Sequence, residues 1–329
     1  MKKIGFVLFA LLLISAAKAQ NAVDNLFIDM RGAFHQEING GSEYKSKFIG
    51  EHFNLNILGH ISPNVTYRIR QRFNKKVFDE KNMFNATDFL CINWHPTPKW
   101  TFTAGKYAVL IGGYEYDAVP IDVYFYSLFC RNLYQGYSFG ALASYEAAKG
   151  QKITFQICNS PLSKGANNLY AYNLVWTGRI FSWWHTIWSL NSLQDEFTRM
   201  IGYAAFGNHC VFGPVAIDID FIDRASPNQN DYLSDYSLNS KFVWSIGKWN
   251  ICAKVGYECN DSSNFDSEGR PYDLVILPGT NYFYAGCGLE YLPLGNKNLR
   301  LHAVYFRDNL IHRSNFDIGV TWRLNIIDK

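Results

Sequence analysis

Residues 100–132, WTFTAGKYAVLIGGYEYDAVPIDVYFYSLFCRN, contain the longest interval of the chain without a clear strand pattern. The first eight residues begin as a strand, and the segment LIGGYEYDAVPIDVYFYSLFCRN then departs from it. On either side, the chain alternates between two-faced segments of about ten residues and turns. The interval must therefore be interpreted from the regular pattern that surrounds it.

The regular segments have the period of β-strands. In residues 25–34, NLFIDMRGAF, the apolar side chains of Leu26, Ile28 and Met30 share one face, and Asp29 and Arg31 share the other. This alternation indicates a strand, because a helix would place such residues on mixed faces. It recurs along the whole chain in sixteen candidate strands, and bacterial single-chain barrels have an even number of strands.

The composition favours the same architecture. Aromatic residues make up 17% of the chain, whereas the apolar content is an ordinary 48% and the mean hydropathy is −0.14. Beyond the N-terminus, no uninterrupted apolar run is long enough for a spanning helix, which excludes a helical membrane protein. Strands of a transmembrane barrel alternate, so hydropathy does not reveal them. We therefore predict an all-β fold, an antiparallel transmembrane barrel of 16 strands embedded in a lipid bilayer.

Connections of unequal length separate the predicted strands. If short turns face the periplasm and long loops face outward, the interval after the strand WTFTAGKY (residues 100–107) is the third outer loop, folded back into the lumen. Trp100 and Trp249 directly follow short turns, where an aromatic girdle would place them. The predicted short turns lie near Pro63 and in residues 96–99, 147–150, 178–179, 207–209, 247–248 and 294–297. The predicted longer loops include residues 73–85, 159–168, 223–233, 260–281 and 307–314.

The N-terminus has the three parts of a secretion signal. Met1, Lys2 and Lys3 supply positive charge, residues 4–16 are apolar, and Ala17-Lys18-Ala19 is a small-x-small cleavage site. We predict a signal peptide over residues 1–19 and an outer-membrane barrel of a Gram-negative bacterium over residues 20–329. Without the three signal lysines, 28 basic residues balance 28 acidic ones, so net charge offers no argument for a nucleic-acid partner.

The alternation also predicts which side chains face the interior. In the last strand, Phe316, Ile318 and Val320 would face lipid, while Asp317 and Thr321 would face inward. A charge on the lipid face near the midplane costs about 2–4 kcal/mol, so the polar set belongs inside. The interior of a sixteen-stranded barrel holds water, and we therefore expect a channel.

Charged residues divide into two predicted groups. The inward basic residues lie on strands that become neighbours when the barrel closes: Arg31, Arg68, Arg70, Arg72, Arg300 and Arg323. The acids lie on the constriction loop and on the eleventh strand: Glu115, Asp117, Asp122, Asp218 and Asp220. Guanidinium groups bind carboxylate and phosphate well, and opposed charges would create a transverse field at the constriction. The alternative is scattered, paired charge without selectivity.

Two signals of catalysis or metal binding are rejected. Gly136-Tyr137-Ser138-Phe139-Gly140 matches GxSxG, but strand alternation continues through it, whereas a nucleophile elbow needs a strand-to-helix turn. The eight histidines show neither HxxxH nor HExxH spacing. We predict a protein that is not an enzyme and has no catalytic, metal or cofactor site.

The long interval also carries a family resemblance. Residues 102–117 (FTAGKYAVLIGGYEYD), with 64–75 (NVTYRIRQRFNK) and 316–326 (FDIGVTWRLNI), resemble the phosphate-selective porin O and P family in its Bacteroidetes form. The resemblance implies a sixteen-stranded, usually trimeric porin for ions or small solutes, with Lys106, Gly113 and Glu115 matching the family's GK...G.E pattern. The family's phosphate selectivity relies on basic residues at the constriction, whereas this loop is acidic.

Two interpretations of function remain at this stage. A passive diffusion porin, either general or preferring anions such as phosphate, would have an open pore that conducts salt. A structural or secretion-accessory barrel would have a plugged lumen and would not conduct.

Overall fold

The computed structural model describes residues 22–38, 44–74, 83–133, 136–229, 231–310 and 313–329. The predicted signal peptide lies outside these residues. The described chain forms sixteen antiparallel strands, each paired with its sequence neighbours. The first eight are β1 (Val23–Ile38), β2 (Tyr44–Ser62), β3 (Val65–Arg72), β4 (Thr87–Thr97), β5 (Trp100–Ala108), β6 (Tyr137–Ala148), β7 (Gln151–Asn159) and β8 (Tyr170–Phe181). The others are β9 (Trp184–Gln194), β10 (Met200–Phe212), β11 (Val215–Ala225), β12 (Asp235–Ile246), β13 (Trp249–Asn260), β14 (Asn281–Tyr291), β15 (Leu299–Asp308) and β16 (Ser314–Asp328).

The sheet closes where the two ends of the chain meet. Strand β1 pairs with β16 along nearly its whole length, and Arg31 lies opposite Thr321. Closure leaves no free sheet edge, which a structure in lipid requires because hydrocarbon cannot hydrogen-bond to backbone groups. The predicted barrel and its strand number are confirmed. Among the described residues, no helix has both the length and the apolar character needed to cross a membrane.

The two faces of the sheet differ as the alternation predicts. On β16, Ile318 is 48% exposed on the outer face, while Asp317 and Thr321 on the inner face are buried. On β7, Phe155 is exposed and Gln156 is completely buried. The outward apolar side chains are exposed because the surrounding lipid is their solvent, and the inward side chains are largely polar.

Two predicted turns are wrong. Gly178 and Arg179 lie inside β8, and residues 207–209 lie inside β10, so the turns come later, at residues 182–183 and 213–214. Gly178 and Gly207 allow close packing within their strands. A side chain at Gly178 would collide with the indole of Trp176, and one at Gly207 would lie 2.6 Å from the Cα atom of Gly113.

The long interval becomes the connection between β5 and β6, residues 109–136, here called the long connection. It is the third connection on its side of the barrel. An extended stretch leads into helix α1 (Tyr114–Asp117), a single 3₁₀ turn (Pro120–Asp122) and helix α2 (Leu128–Asn132). These helices are too short to be stable alone, so contacts with the barrel must hold them in place.

Candidate functional site

Three arginines on β3 share the inward face but differ in their partners. Arg68, Arg70 and Arg72 occupy alternate positions, which a strand presents on one side. The carboxylate of Asp88 forms ion pairs with Arg70 Nε at 2.9 Å and with Arg72 Nη2 at 2.6 Å. Arg68 has no ion pair with any described residue, and its guanidinium carbon lies 3.7 Å from the centroid of the Phe89 ring. One carboxylate thus serves two of the three guanidinium groups, and Arg68 keeps its charge unpaired.

Two other predicted arginines bind the long connection. Arg31 donates from Nη1 to the carbonyl oxygens of Ile121 and Val123, both at 3.0 Å. Arg300 forms an ion pair with Asp122 at 2.7 Å and donates to the same Ile121 carbonyl at 3.2 Å. These two residues therefore position backbone as well as supplying charge.

The remaining predicted basic residues make local contacts. Arg323 pairs with Asp29 across β16 and β1, with Nε 2.7 Å from a carboxylate oxygen. Lys106 is buried on β5 and donates to the carbonyl of Phe84, outside the long connection. The structure thus brings Arg31 and Arg300 to the long connection and leaves Lys106 and Arg323 elsewhere.

Asp220 holds the start of the long connection. Its two carboxylate oxygens accept the backbone N–H groups of Tyr114 and Glu115 at 2.7 and 2.8 Å. These are unsatisfied donors of the first turn of α1, and a carboxylate is a favourable partner for them. Glu115 in turn forms an ion pair with Lys254 at 2.9 Å and accepts the Ser127 N–H at 2.7 Å. Both acids were predicted as channel charges, and both bind backbone.

The end of the long connection is held by a residue that the sequence analysis missed. Glu258 on β13 accepts the N–H groups of Leu128 and Phe129, at 2.6 and 3.1 Å, at the start of α2. Strand alternation could have placed Glu258 on the inward face with Lys254. Nothing local in the sequence links it to residues about 130 positions earlier.

Apolar packing holds the same segment from the other side. Val109, Ile111, Phe129 and Leu133 belong to one buried cluster with inward residues of strands β7 to β11 and β14 and with the β13–β14 loop. From that loop, Ile276 is 1% exposed in the cluster. One part of the interior is consequently packed like the core of a water-soluble protein.

A buried ion cluster anchors the β13–β14 loop. Arg224 is completely buried and pairs with Asp235 at 2.7 Å and with Asp273 at 2.9 Å. Asp273 also accepts the N–H groups of Val275 and Ile276 at 2.8 and 3.0 Å. The cluster therefore fixes the loop that covers α2.

The other predicted acids remain more accessible. Asp117 is exposed and has no ion pair with a described residue. The side chain of Asp122 is 34% exposed beside Arg300, and Asp218 contacts His209 Nδ1 at 2.5 Å. Unpaired charge of opposite sign therefore remains on the long connection, at Asp117, and on β3, at Arg68.

The rejected motif lies in regular structure. Ser138 is within β6 opposite Tyr107, and the strand continues to Ala148. The strand-to-helix turn of a nucleophile elbow is therefore missing here.

Comparison with known proteins shows similarity in fold without similarity in sequence. No family model and no curated protein matches the chain. The outer membrane channel DcaP of Acinetobacter baumannii superposes with a TM-score of 0.62 at 11% identity, covering 91% of this chain and 96% of its own. An anion-selective porin from Comamonas acidovorans gives 0.61 at 7%, covering 91% and 98%. A loop-deletion mutant of OmpT, an outer membrane protein of Vibrio cholerae, gives 0.60 at 12%, covering 92% and 99%.

The location of the chain follows from its architecture. A closed sixteen-stranded barrel with an apolar outer face and a polar inner face is an outer-membrane structure. The chain is therefore an outer-membrane protein of a Gram-negative bacterium, and its outward apolar side chains contact lipid.

Proposed function

We propose that the protein is a porin, a passive diffusion channel for small hydrophilic solutes that prefers anions. The observation that carries this proposal is the unpaired guanidinium of Arg68 on an inward wall with three arginines and one carboxylate. Guanidinium groups attract anions, and a wall with surplus positive charge raises the anion concentration beside it.

The long connection is the proposed constriction. Its contacts run from Ser189 on β9, through Asp220 on β11, to Arg31 on β1. A segment that reaches so many strands from the inside narrows the passage and leaves β3 facing it across the gap. Asp117 on one side and Arg68 on the other would then supply the transverse field.

The family resemblance adds finer proposals. Phosphate is one candidate anion, since Arg68, Arg70 and Arg72 fall in the resembling stretch 64–75. The acidic side chains of the long connection weigh against phosphate, which carries more than one negative charge near neutral pH. A homotrimer and removal of residues 1–19 during export complete the proposal. N-terminal sequencing of the exported protein would test the cleavage site.

One observation favours the second function, a structural or secretion-accessory barrel that does not conduct. The apolar cluster around Phe129 fills part of the interior, and the β13–β14 loop covers it. If the remaining space also closes, no pore is left.

Planar-bilayer recording of the purified protein distinguishes the two functions. The porin proposal predicts stepwise increases in current in KCl as single barrels insert, whereas heat-denatured protein in the same detergent adds none. Insertion that can be demonstrated by protease protection but carries no current would overturn the porin and favour the accessory barrel.

A further inference from the structure

A recess lies between the long connection and strands β11 to β15. Its cavity volume is about 100 Å³, several times what one water molecule needs. Its floor is on β14, where Gly286 and Gly288 face inward. A side chain at Gly286 would lie 2.7 Å from the Cβ atom of Phe306, and one at Gly288 would lie 3.0 Å from Val304 Cγ2. The space therefore depends on two glycines.

Aromatic side chains form one wall of the recess. The ring of Phe125, from the long connection, lies 4.0 Å from that of Phe306 and 4.9 Å from that of Tyr284, centroid to centroid. Tyr124 and Tyr114 line the same space. This wall and the glycine floor suit an apolar group of modest size.

The charged groups of the recess are mostly satisfied. Lys254 binds Glu115 and also donates to the Phe125 carbonyl at 2.6 Å. Glu290 accepts from the Tyr124 hydroxyl at 2.6 Å and from Asn250 at 2.9 Å. Asp122, Asp218 and Asp220 have the partners described above.

Lys241 is the exception among the charged residues that line the recess. It sits on β12, opposite Asp218 on one side and Lys254 on the other, yet it has no ion pair or hydrogen bond to a described residue. Asp218 is bound to His209 instead. An ammonium group without a partner, beside an apolar surface, is a ready contact for a carboxylate.

The balance of charge also favours a positive group on the ligand. Five carboxylates line the recess against two lysines, and Arg300, which lies beside the recess and pairs with both Asp122 and Glu290, offsets one more negative charge. A second ammonium group would be attracted to this surplus, especially next to aromatic rings. A ligand with only a carboxylate would pair with Lys241 but would be repelled by the excess of carboxylates. A ligand with only an ammonium group would leave Lys241 unpaired.

We propose that the recess binds a small zwitterion with an apolar body, of the kind represented by an aromatic α-amino acid. Its carboxylate contacts Lys241, its ammonium group faces the acidic side, and its apolar body lies on the glycine floor against Phe125. This inference refines the proposed porin function by naming a class of solute, but the binding itself does not require conduction.

Isothermal titration of the full-length protein in detergent tests the recess with three ligands of one shape. L-phenylalanine has both charges, phenethylamine lacks the carboxylate, and phenylacetate lacks the ammonium group. We expect L-phenylalanine to bind at least tenfold more tightly than either. Lys241→Met should remove that advantage over phenethylamine, and the affinity for phenethylamine itself should not fall.

Lys152→Met is the matched control, because Lys152 is an inward, exposed lysine on β7 outside the recess. It should leave all three affinities unchanged. Absence of heat with millimolar L-phenylalanine would overturn the proposal, as would phenethylamine binding equally well to the unaltered protein. Since calorimetry needs no current, this failure is distinct from a failure to conduct.

Discussion

Arg68, Arg70 and Arg72 are equivalent in the strand pattern but not in the structure. Alternation on β3 places all three on the inward face, and this much could be predicted from residues 64–75. Their pairing could not, because Asp88 reaches them from the neighbouring strand. A side-chain contact across strands depends on register, and register depends on turns whose lengths the sequence shows only approximately.

Arg224 should be the residue whose loss costs most stability. Arg224→Met leaves Asp235 and Asp273 buried together without their cation, so we expect the free energy of unfolding to fall by about 3–5 kcal/mol. Guanidinium unfolding of the folded barrel, followed by tryptophan fluorescence, measures the change.

The exposed pair Lys164–Glu196 provides the control for Arg224. Its atoms are 2.7 Å apart but solvated, and Lys164→Met should cost less than about 1 kcal/mol. Equal effects of the two substitutions would contradict the assigned role of the buried cluster.

Asp266 should make the stability of the β13–β14 loop, which lies outside the membrane, depend on pH. Desolvation works against its ionisation, but hydrogen bonds from the backbone and side chain of Arg270 outweigh it and lower the pKa of Asp266 to about 2. Because the pKa is below its ordinary value of 3.8, the carboxylate stabilises the loop fully above that value and loses this effect as the pH falls through about 2.

Pepsin digestion between pH 4 and pH 1.5 tests this dependence. We expect residues 261–280 to resist cleavage at pH 4 and to be cut as the pH approaches 2. Asp266→Asn should be cut across the whole range. Cleavage of the unaltered loop at a constant rate over this range would be inconsistent with the prediction.

At the scale of elements, the long connection shows where sequence reasoning stops. Its position between β5 and β6 was predictable, because the strand pattern ends after residue 107 and resumes before β6. Its anchors, Asp220 and Glu258, lie more than a hundred residues away in sequence and meet it only after the barrel closes. The turns predicted at residues 178–179 and 207–209 are wrong for a related reason. Glycine is common in turns, but at Gly178 and Gly207 it allows close packing within a strand instead.

Asp220→Ala should loosen the start of the long connection. The substitution leaves the N–H groups of Tyr114 and Glu115 without their acceptor, at a cost of about 1–3 kcal/mol for each if they remain buried. Hydrogen exchange of these two amides, followed by mass spectrometry, should be at least tenfold faster.

Asp29→Ala is the control. Asp29 also faces the interior but pairs with Arg323 on β16 rather than with the long connection, so exchange at α1 should not change. Equal acceleration by both substitutions would mean that loss of charge, not loss of the anchor, loosens the segment.

At the scale of the whole molecule, the interior has two unlike parts. Strands β7 to β15 hold the apolar cluster, an ion-anchored loop and the recess, whereas β3 presents guanidinium groups to the remaining space. The closed barrel was predictable from period two and an even number of strands. The apolar cluster was not, because its residues come from the loops and from six different strands.

This division implies that selectivity should depend on the β3 side. The long connection is bound by Arg31 and Arg300 and by the apolar cluster, so it is not free to compensate for charges lost from β3. Under the proposed porin function, we therefore expect solutes that cross the barrel to pass Arg68.

The reversal potential of the purified protein in a planar bilayer under a KCl gradient shows whether the β3 arginines set ion selectivity. We expect an anion-selective potential that collapses towards zero when Arg68, Arg70 and Arg72 are all changed to Ala, with most of the loss reproduced by Arg68→Ala alone. An unaltered protein that favours cations, or a triple variant that keeps its anion preference, would contradict this prediction.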